Sequence, residues 1–493
     1  MGNPEHTPPD EGGILSPRLL SLIAWVAAGY FLLRLIYFVI AIHPSVPPDE
    51  PTHFARVAFF AKFFLLPSGV PGDGYSHLWT MRYHPPLYYL LAGKWLLLNV
   101  FPVGDIAFAR LLSVGLSCLT ALYGWRFVRL LSPSPLVHLL FLVMMTNTLM
   151  FSFLSAAVNY DNLVNLLAAA ALYYMTRYLK QKEPQALLAM LLALLLGGLT
   201  KTALLPFAFA CVAGLLLIEA RAWRARLGDL SVYWSTSRFV PKVFAGAIVA
   251  LLGLNALLYG SNLLTFGHLV PRNSQVLTEA DYKAHPMAAR SGIYMGYLRG
   301  ERSLEESIAL AKELGHGATS RDVINLLNFA VWRQESEGPF EPMSRLDYAV
   351  HWSKLMLYSV YGVMGHSVAY KGFWGHVPYL ATFLIAVVFM AVGGIRGRVA
   401  PYEWLFVAMF AFYVAILMQV VNYGVYLNFQ LPHISVQGRY LFPFLLPIYG
   451  LTAKYVLSWK KAPVQYAAAA VIGMCFICGD FPFFLSAWGG GPW

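Results

Sequence analysis

The sequence predicts an all-α polytopic membrane protein, a bundle of about 11 transmembrane helices with juxtamembrane helices and an extracytoplasmic helical cap. Three observations predict it. Of 493 residues, 58% are hydrophobic and 12% charged, against roughly 25% charged in a soluble domain. The apolar residues gather into stretches of roughly 16 to 25, the length of helix that crosses about 30 Å of hydrocarbon. The basic residues fall mainly in short connections on alternate crossings, the positive-inside pattern. A soluble enzyme is excluded, and the formal charge of +11 reflects those loops rather than a nucleic-acid partner.

The expected spans are 19–43, 107–131, 135–157, 163–179, 185–200, 203–219, 243–261, 377–394, 402–422, 440–457 and 464–485. With Arg18 inside, Arg126 and Arg129 fall on the cytoplasmic side, followed by Arg177, Lys180 and Lys182. The cluster Arg221, Arg224, Arg226, Arg238 and Lys242 falls there too, as do Arg396 with Arg398 and Lys460 with Lys461. The stretch 85–101 is not counted, because as a span it would invert every later basic loop. It is short, opens with Pro85 and Pro86, and carries Lys94 at its middle, which suits a helix lying in the interface. The stretch 351–370 reads as interfacial or re-entrant. Arg34, midway along the first span, either faces protein or snorkels. The four cysteines lie in apolar spans as packing residues, and the long first apolar stretch lacks a small-residue cleavage site, so it is expected to stay as a span.

This divides the chain into a cytoplasmic tail (1–18), an N-terminal transmembrane module (19–261) with a first external loop at 44–106, an extracytoplasmic cap with an interfacial segment (262–376), and C-terminal transmembrane helices (377–493). Within the cap, "RSLEESIALAKELG" and "SRDVINLLNFAVWRQ" have amphipathic helical spacing. Eleven crossings put the N-terminus inside and the C-terminus outside.

The chemistry-bearing residues map to one membrane surface. The first loop opens with "HPSVPPDEPTHFARV", where Pro47 and Pro48 extend the chain and Asp49, Glu50 and His53 share about 100 degrees of arc on a starting helix. The bland reading is an N-terminal cap. The loop closes with "RYHPPLYY", carrying Arg82 and His84, and the outer end of the third span delivers "NYDN" with Asp161, again a cap by the plain reading. Lys201 in "LTKT" and Arg439 with Tyr440 in "VQGRYLFPFLLP" lie at outer boundaries, where a snorkelling lysine and an interfacial anchor are the ordinary readings. Glu50 and His53, three apart and so stacked on one face, are candidate ligands for a divalent metal, with His84 a possible third; His53 alternatively hydrogen-bonds the carboxylate.

The ordered set "PDEPTHF", "HPPLYY", "LTKT" and "QGRYLFP", with Asp161 in the second external loop, resembles the GT-C superfamily of integral membrane glycosyltransferases, in particular a broad bacterial branch. The resemblance runs from about 47 to 450. Where aminoarabinose and protein O-mannosyl relatives often carry Arg-Tyr after the "DE", this chain has His53. The resemblance implies a sugar donor carried on polyprenyl phosphate, a lipid, glycan or protein acceptor, and a bacterial inner-membrane enzyme whose site is extracytoplasmic. It implies catalytic roles for Asp49, Glu50 and Asp161, with Asp49 as base and Glu50 supporting it or holding a metal. His53, Arg82, His84, Lys201, Arg439 and Tyr440 would bind substrate, the cations steadying the departing phosphate.

Two other classes compete. A transporter or lipid flippase also needs many spans and a few buried charges, but usually places them near mid-membrane and in repeated halves. A ligase or polymerase of lipid-linked glycans would use similar cations and a large external loop.

Overall fold

The computed structural model describes residues 14–44, 46–63, 81–236, 239–277, 286–314, 317–361, 363–364, 368–369 and 373–479. Arg238, most of the expected cytoplasmic tail, part of the first external loop, five residues of 351–370 after Tyr361 and the end of the last expected span lie outside the described residues.

Over its described residues, each of the eleven expected spans is helical for most of its length. Five helices are long and apolar enough to cross a membrane: α1 (Pro17–Ala41), α4 (Asp105–Leu131), the continuous helix Val240–Phe266, Val377–Ile395 and Pro401–Phe429. Two bent pairs bring the number to seven if each is one span: α5 (Pro135–Thr146) with α6 (Leu149–Ser155), and α9 (Leu204–Glu219) with α10 (Trp223–Thr236). Their starts follow local chemistry. Ser16 caps α1 by accepting from the Leu19 amide at 3.2 Å, with Pro17 in the first turn. Leu22, Trp25, Leu33 and Ile40 of α1 point outward, as do Val249, Leu257 and Leu264 of Val240–Phe266, the pattern of side chains facing lipid.

The protein core surrounds α7 (Asp161–Gln181), buried over most of its length between α4 and α8 (Pro184–Gly198). Such a helix carries polar groups because its surroundings are protein. Arg34 faces protein too. Its guanidinium bonds Asn147 Oδ1 at 3.1 Å, Ser152 Oγ at 2.6 Å and the Thr146 carbonyl, filling the 67° break between α5 and α6.

The stretch 85–101 forms only α3 (Leu87–Leu96), ten residues or about 15 Å of helix, half a membrane. It packs on α2 (Glu50–Lys62) so tightly that a Cβ at Gly93 would meet the Phe60 carbonyl carbon at 2.6 Å. Lys94 Nζ donates to the Phe60 and Phe63 carbonyls at 2.9 and 3.3 Å, capping α2.

Both amphipathic cap segments are helices, Leu304–Glu313 behind a Ser303/Glu306 capping box and Gly317–Glu337. Their core of Ile293, Tyr294, Ala311, Val323, Leu327 and Ala330 closes on Leu431. Arg333 Nη1 ties the cap down by donating to the Gln430 carbonyl at 2.6 Å. The helix Arg345–Tyr361 leads into a two-residue antiparallel pair, Val363–Met364 with Val368–Ala369.

Candidate active site

Pro47 and Pro48 deliver the chain to Asp49, whose φ of 59° and ψ of 14° are left-handed. The turn separates the three side chains that the sequence places on one arc. Glu50 goes inward, His53 toward α3, and Asp49 stays at the surface.

Glu50 is fully buried. Arg110 of α4 holds both its oxygens, Nε to Oε1 at 2.8 Å and Nη2 to Oε2 at 2.5 Å, while the Val158 amide donates to Oε1 at 2.7 Å. The same guanidinium donates from Nη1 to the Val39 and Ile42 carbonyls at 2.9 and 2.8 Å, satisfying the end of α1. One ion pair thus clasps α1, α2, α4 and the chain before α7.

His53 lies buried beside Tyr89, Nδ1 to Oη at 2.7 Å, and its ring meets the Tyr160 ring edge-on at 4.7 Å. Arg56 donates to the same Tyr89 oxygen at 3.1 Å. Burial, reinforced by the Arg56 charge, holds the His53 imidazole well below its ordinary pKa, hence neutral. The Glu50 oxygens accept from Arg110 and Val158, and the His53 Nδ1 lies against the Tyr89 hydroxyl. No group of three or more His, Cys, Asp or Glu suited to a metal occurs among the described residues.

The remaining charges form a row. Asp161 opens α7, its amide donating to Asn159 Oδ1 at 2.9 Å, and its Oδ1 takes Lys201 Nζ at 2.6 Å. Lys201 stands where α8 ends, between the rings of Tyr160 and Tyr440 at 4.4 and 4.7 Å from their centroids. Burial opposes its charge, but the Asp161 carboxylate beside it raises its pKa. Arg439 lies between the two aspartates, Nε 3.3 Å from Asp161 Oδ2 and Nη2 3.2 Å from Asp49 Oδ2. It is placed by the 3₁₀ turn Gly438–Phe444, which the Gly438 amide pins to Ser359 Oγ at 2.5 Å. A Cβ at Gly438 would lie 2.6 Å from the Val360 nitrogen.

Two features make the row chemically usable. The Asp49 side chain is 41% exposed, against 5% for Asp161, 3% for Arg439 and 0% for Glu50, so of these three carboxylates only that of Asp49 is open to a reactant. Arg439 Nη1 is buried and makes no hydrogen bond among the described residues, a donor whose desolvation an incoming anion would offset. Two and three residues after Arg439 in the chain, Leu441 and Phe442 line an apolar cavity of about 440 Å³ that runs between Arg345–Tyr361, Val377–Ile395, Pro401–Ala415 and Leu445–Val456.

Asp49, Asp161, Lys201, Arg439 and Tyr440 are therefore together. Glu50 and His53 lie behind them, Arg82 is exposed without an ion pair among the described residues, and His84 is half-buried one turn before α3. Sequence reasoning missed Arg110, Arg56, Tyr89 and Tyr160. Arg110 left a signal, an arginine four residues into an expected span; Tyr89 and Tyr160 lie inside the quoted "HPPLYY" and "NYDN", and Arg56 inside "HPSVPPDEPTHFARV", but no role was read for them.

Residues 83–244, from the turn before α3 into the start of Val240–Phe266, match the family model described as dolichyl-phosphate-mannose-protein mannosyltransferase, a GT-C superfamily glycosyltransferase family. No curated protein matches the chain.

Proposed function

We propose, from the match of residues 83–244 to a GT-C glycosyltransferase family, that this membrane glycosyltransferase moves a sugar from a polyprenyl-phosphate carrier to an acceptor at the extracytoplasmic face of the bacterial inner membrane. The observation that carries the reading is the row Asp49, Arg439, Asp161, Lys201, with an exposed carboxylate at one end and a buried Nη1 on Arg439 that makes no hydrogen bond among the described residues. The acceptor hydroxyl attacks the anomeric carbon, Asp49 takes its proton, and the bond from that carbon to the carrier phosphate breaks. Arg439 and Lys201 receive the charge on the departing phosphate, and do so preorganised because Asp161 already fixes both. The isoprenoid lies along the apolar cavity beside Leu441 and Phe442. No step is assigned to a metal.

The test is transfer by purified protein from a panel of radiolabelled polyprenyl-phosphate sugars. Sugar released from one of them onto an added acceptor or water supports the reading. A panel with no turnover, by protein that still binds the lipids, would replace it with a carrier of lipid-linked sugars.

A further inference from the structure

The chemistry proposed above leaves α10 unused. The apolar helix α9 ends at Glu219, and the chain turns by 107° into α10. A helix turned that far from a membrane-crossing axis runs along the membrane plane. The elbow is held by its own ions: the buried Glu219 carboxylate accepts from Lys182 Nζ and from Arg226 Nε at 2.8 Å, and Arg226 Nη1 reaches Asp229 at 3.0 Å. The direction of α10 is thereby set from within the protein.

Along α10, Trp223, Leu227, Leu230 and Trp234 recur at steps of four, three and four, a stripe about 60° wide. No described residue buries it. No residue of α10 is buried, and Trp223, Leu227 and Trp234 are 48%, 47% and 48% exposed. Arg221, Arg224 and Lys242 are exposed around the elbow and at the start of the next helix, without an ion pair among the described residues. Indoles at both ends of a leucine pair suit the boundary between headgroups and acyl chains, and unpaired arginines at that depth meet lipid phosphates.

We infer that α10 is an interfacial helix on the basic side of the membrane. Its Trp223–Leu227–Leu230–Trp234 face embeds at the acyl boundary, while Arg221 and Arg224 bind the headgroups of anionic phospholipid.

The experiment uses the full chain in nanodiscs. In phosphatidylcholine brominated on the acyl chains, bromine should quench the fluorescence that wild type has beyond the Trp223→Phe/Trp234→Phe variant, and aqueous iodide should not. With phosphatidylglycerol added, Arg221→Gln/Arg224→Gln should retain that lipid through detergent extraction roughly fivefold less for each charge removed, while phosphatidylcholine retention stays unchanged. Millimolar inorganic phosphate should not displace it. Quenching of those two indoles by iodide, or by neither agent, would overturn the embedding, the second pointing to a covering protein. Equal phosphatidylglycerol retention by the double glutamine variant, or displacement by free phosphate, would overturn the headgroup assignment.

Discussion

Arg110 occupies both oxygens of Glu50, 60 residues earlier in the chain, with both side chains buried. Removing one member of such a pair strands the other, at a cost of about 3 to 5 kcal/mol. Glu50→Gln and Arg110→Met should each lower the yield of monodisperse protein and its melting temperature in detergent. The double variant should recover part of that loss. A Glu50→Gln protein of unchanged melting temperature but no turnover would instead put Glu50 in the chemistry.

Asp49→Asn keeps the side chain's shape and the left-handed backbone but cannot take a proton. Turnover should fall by about 10² to 10⁴ with donor binding largely intact, measured by single-turnover transfer and lipid titration. Near-normal turnover in this variant alongside a dead Asp161→Asn would move the base to Asp161.

Lys201→Ala removes a cation held by Asp161 at 2.6 Å and flanked by two tyrosines. A phosphate contact present in ground and transition states alike predicts a raised KM for donor together with a lower kcat/KM. An effect confined to kcat, with KM unchanged, would show that Lys201 acts only as bond breaking proceeds.

His53 is held neutral by burial. Its pKa in the folded chain is below the unfolded value of about 6.5, so the stability it contributes is complete above that pH. It falls as pH drops from there toward the folded pKa, because the unfolded chain takes up the proton first, by at most about 1.4 kcal/mol per pH unit. Melting temperatures between pH 7 and 5 should decline more steeply in wild type than in His53→Gln. Parallel curves would mean that the imidazole titrates alike in both states.

With all eleven expected spans crossing from an inner N-terminus, a reporter fused after Trp493 should report from the outer face. An inner-face signal would mean that 351–370 crosses or that one of the shorter helices, such as Pro184–Gly198 or Ala462–Ile477, does not.

The all-helical membrane class was legible because lipid demands long apolar helices, five to seven of which have the length and composition to cross, and 85–101 was legible as an exception because a short stretch behind two prolines forms only the ten-residue α3. Asp49, Asp161, Lys201 and Arg439 could be read as one group because each sits at the end of a helix or expected span, and topology brings those ends to one face. The roles of Glu50 and His53 were not legible. Their direction depends on a left-handed residue at 49, and their partners, Arg110 and Tyr89, come from other elements. The choice left open for Arg34 was settled by the break between α5 and α6, a tertiary feature that hydropathy does not register.

The left-handed backbone at Asp49 also limits which acids can stand there. Most side chains lose about 1 to 2 kcal/mol in that conformation, while Asp, Asn and Gly tolerate it. Glutamate would meet that backbone cost and also carry its carboxylate one methylene farther from Arg439. The interchange of the two acids, mild on most protein surfaces, is closed at this position, and the reach of the carboxylate is set by the turn that presents it.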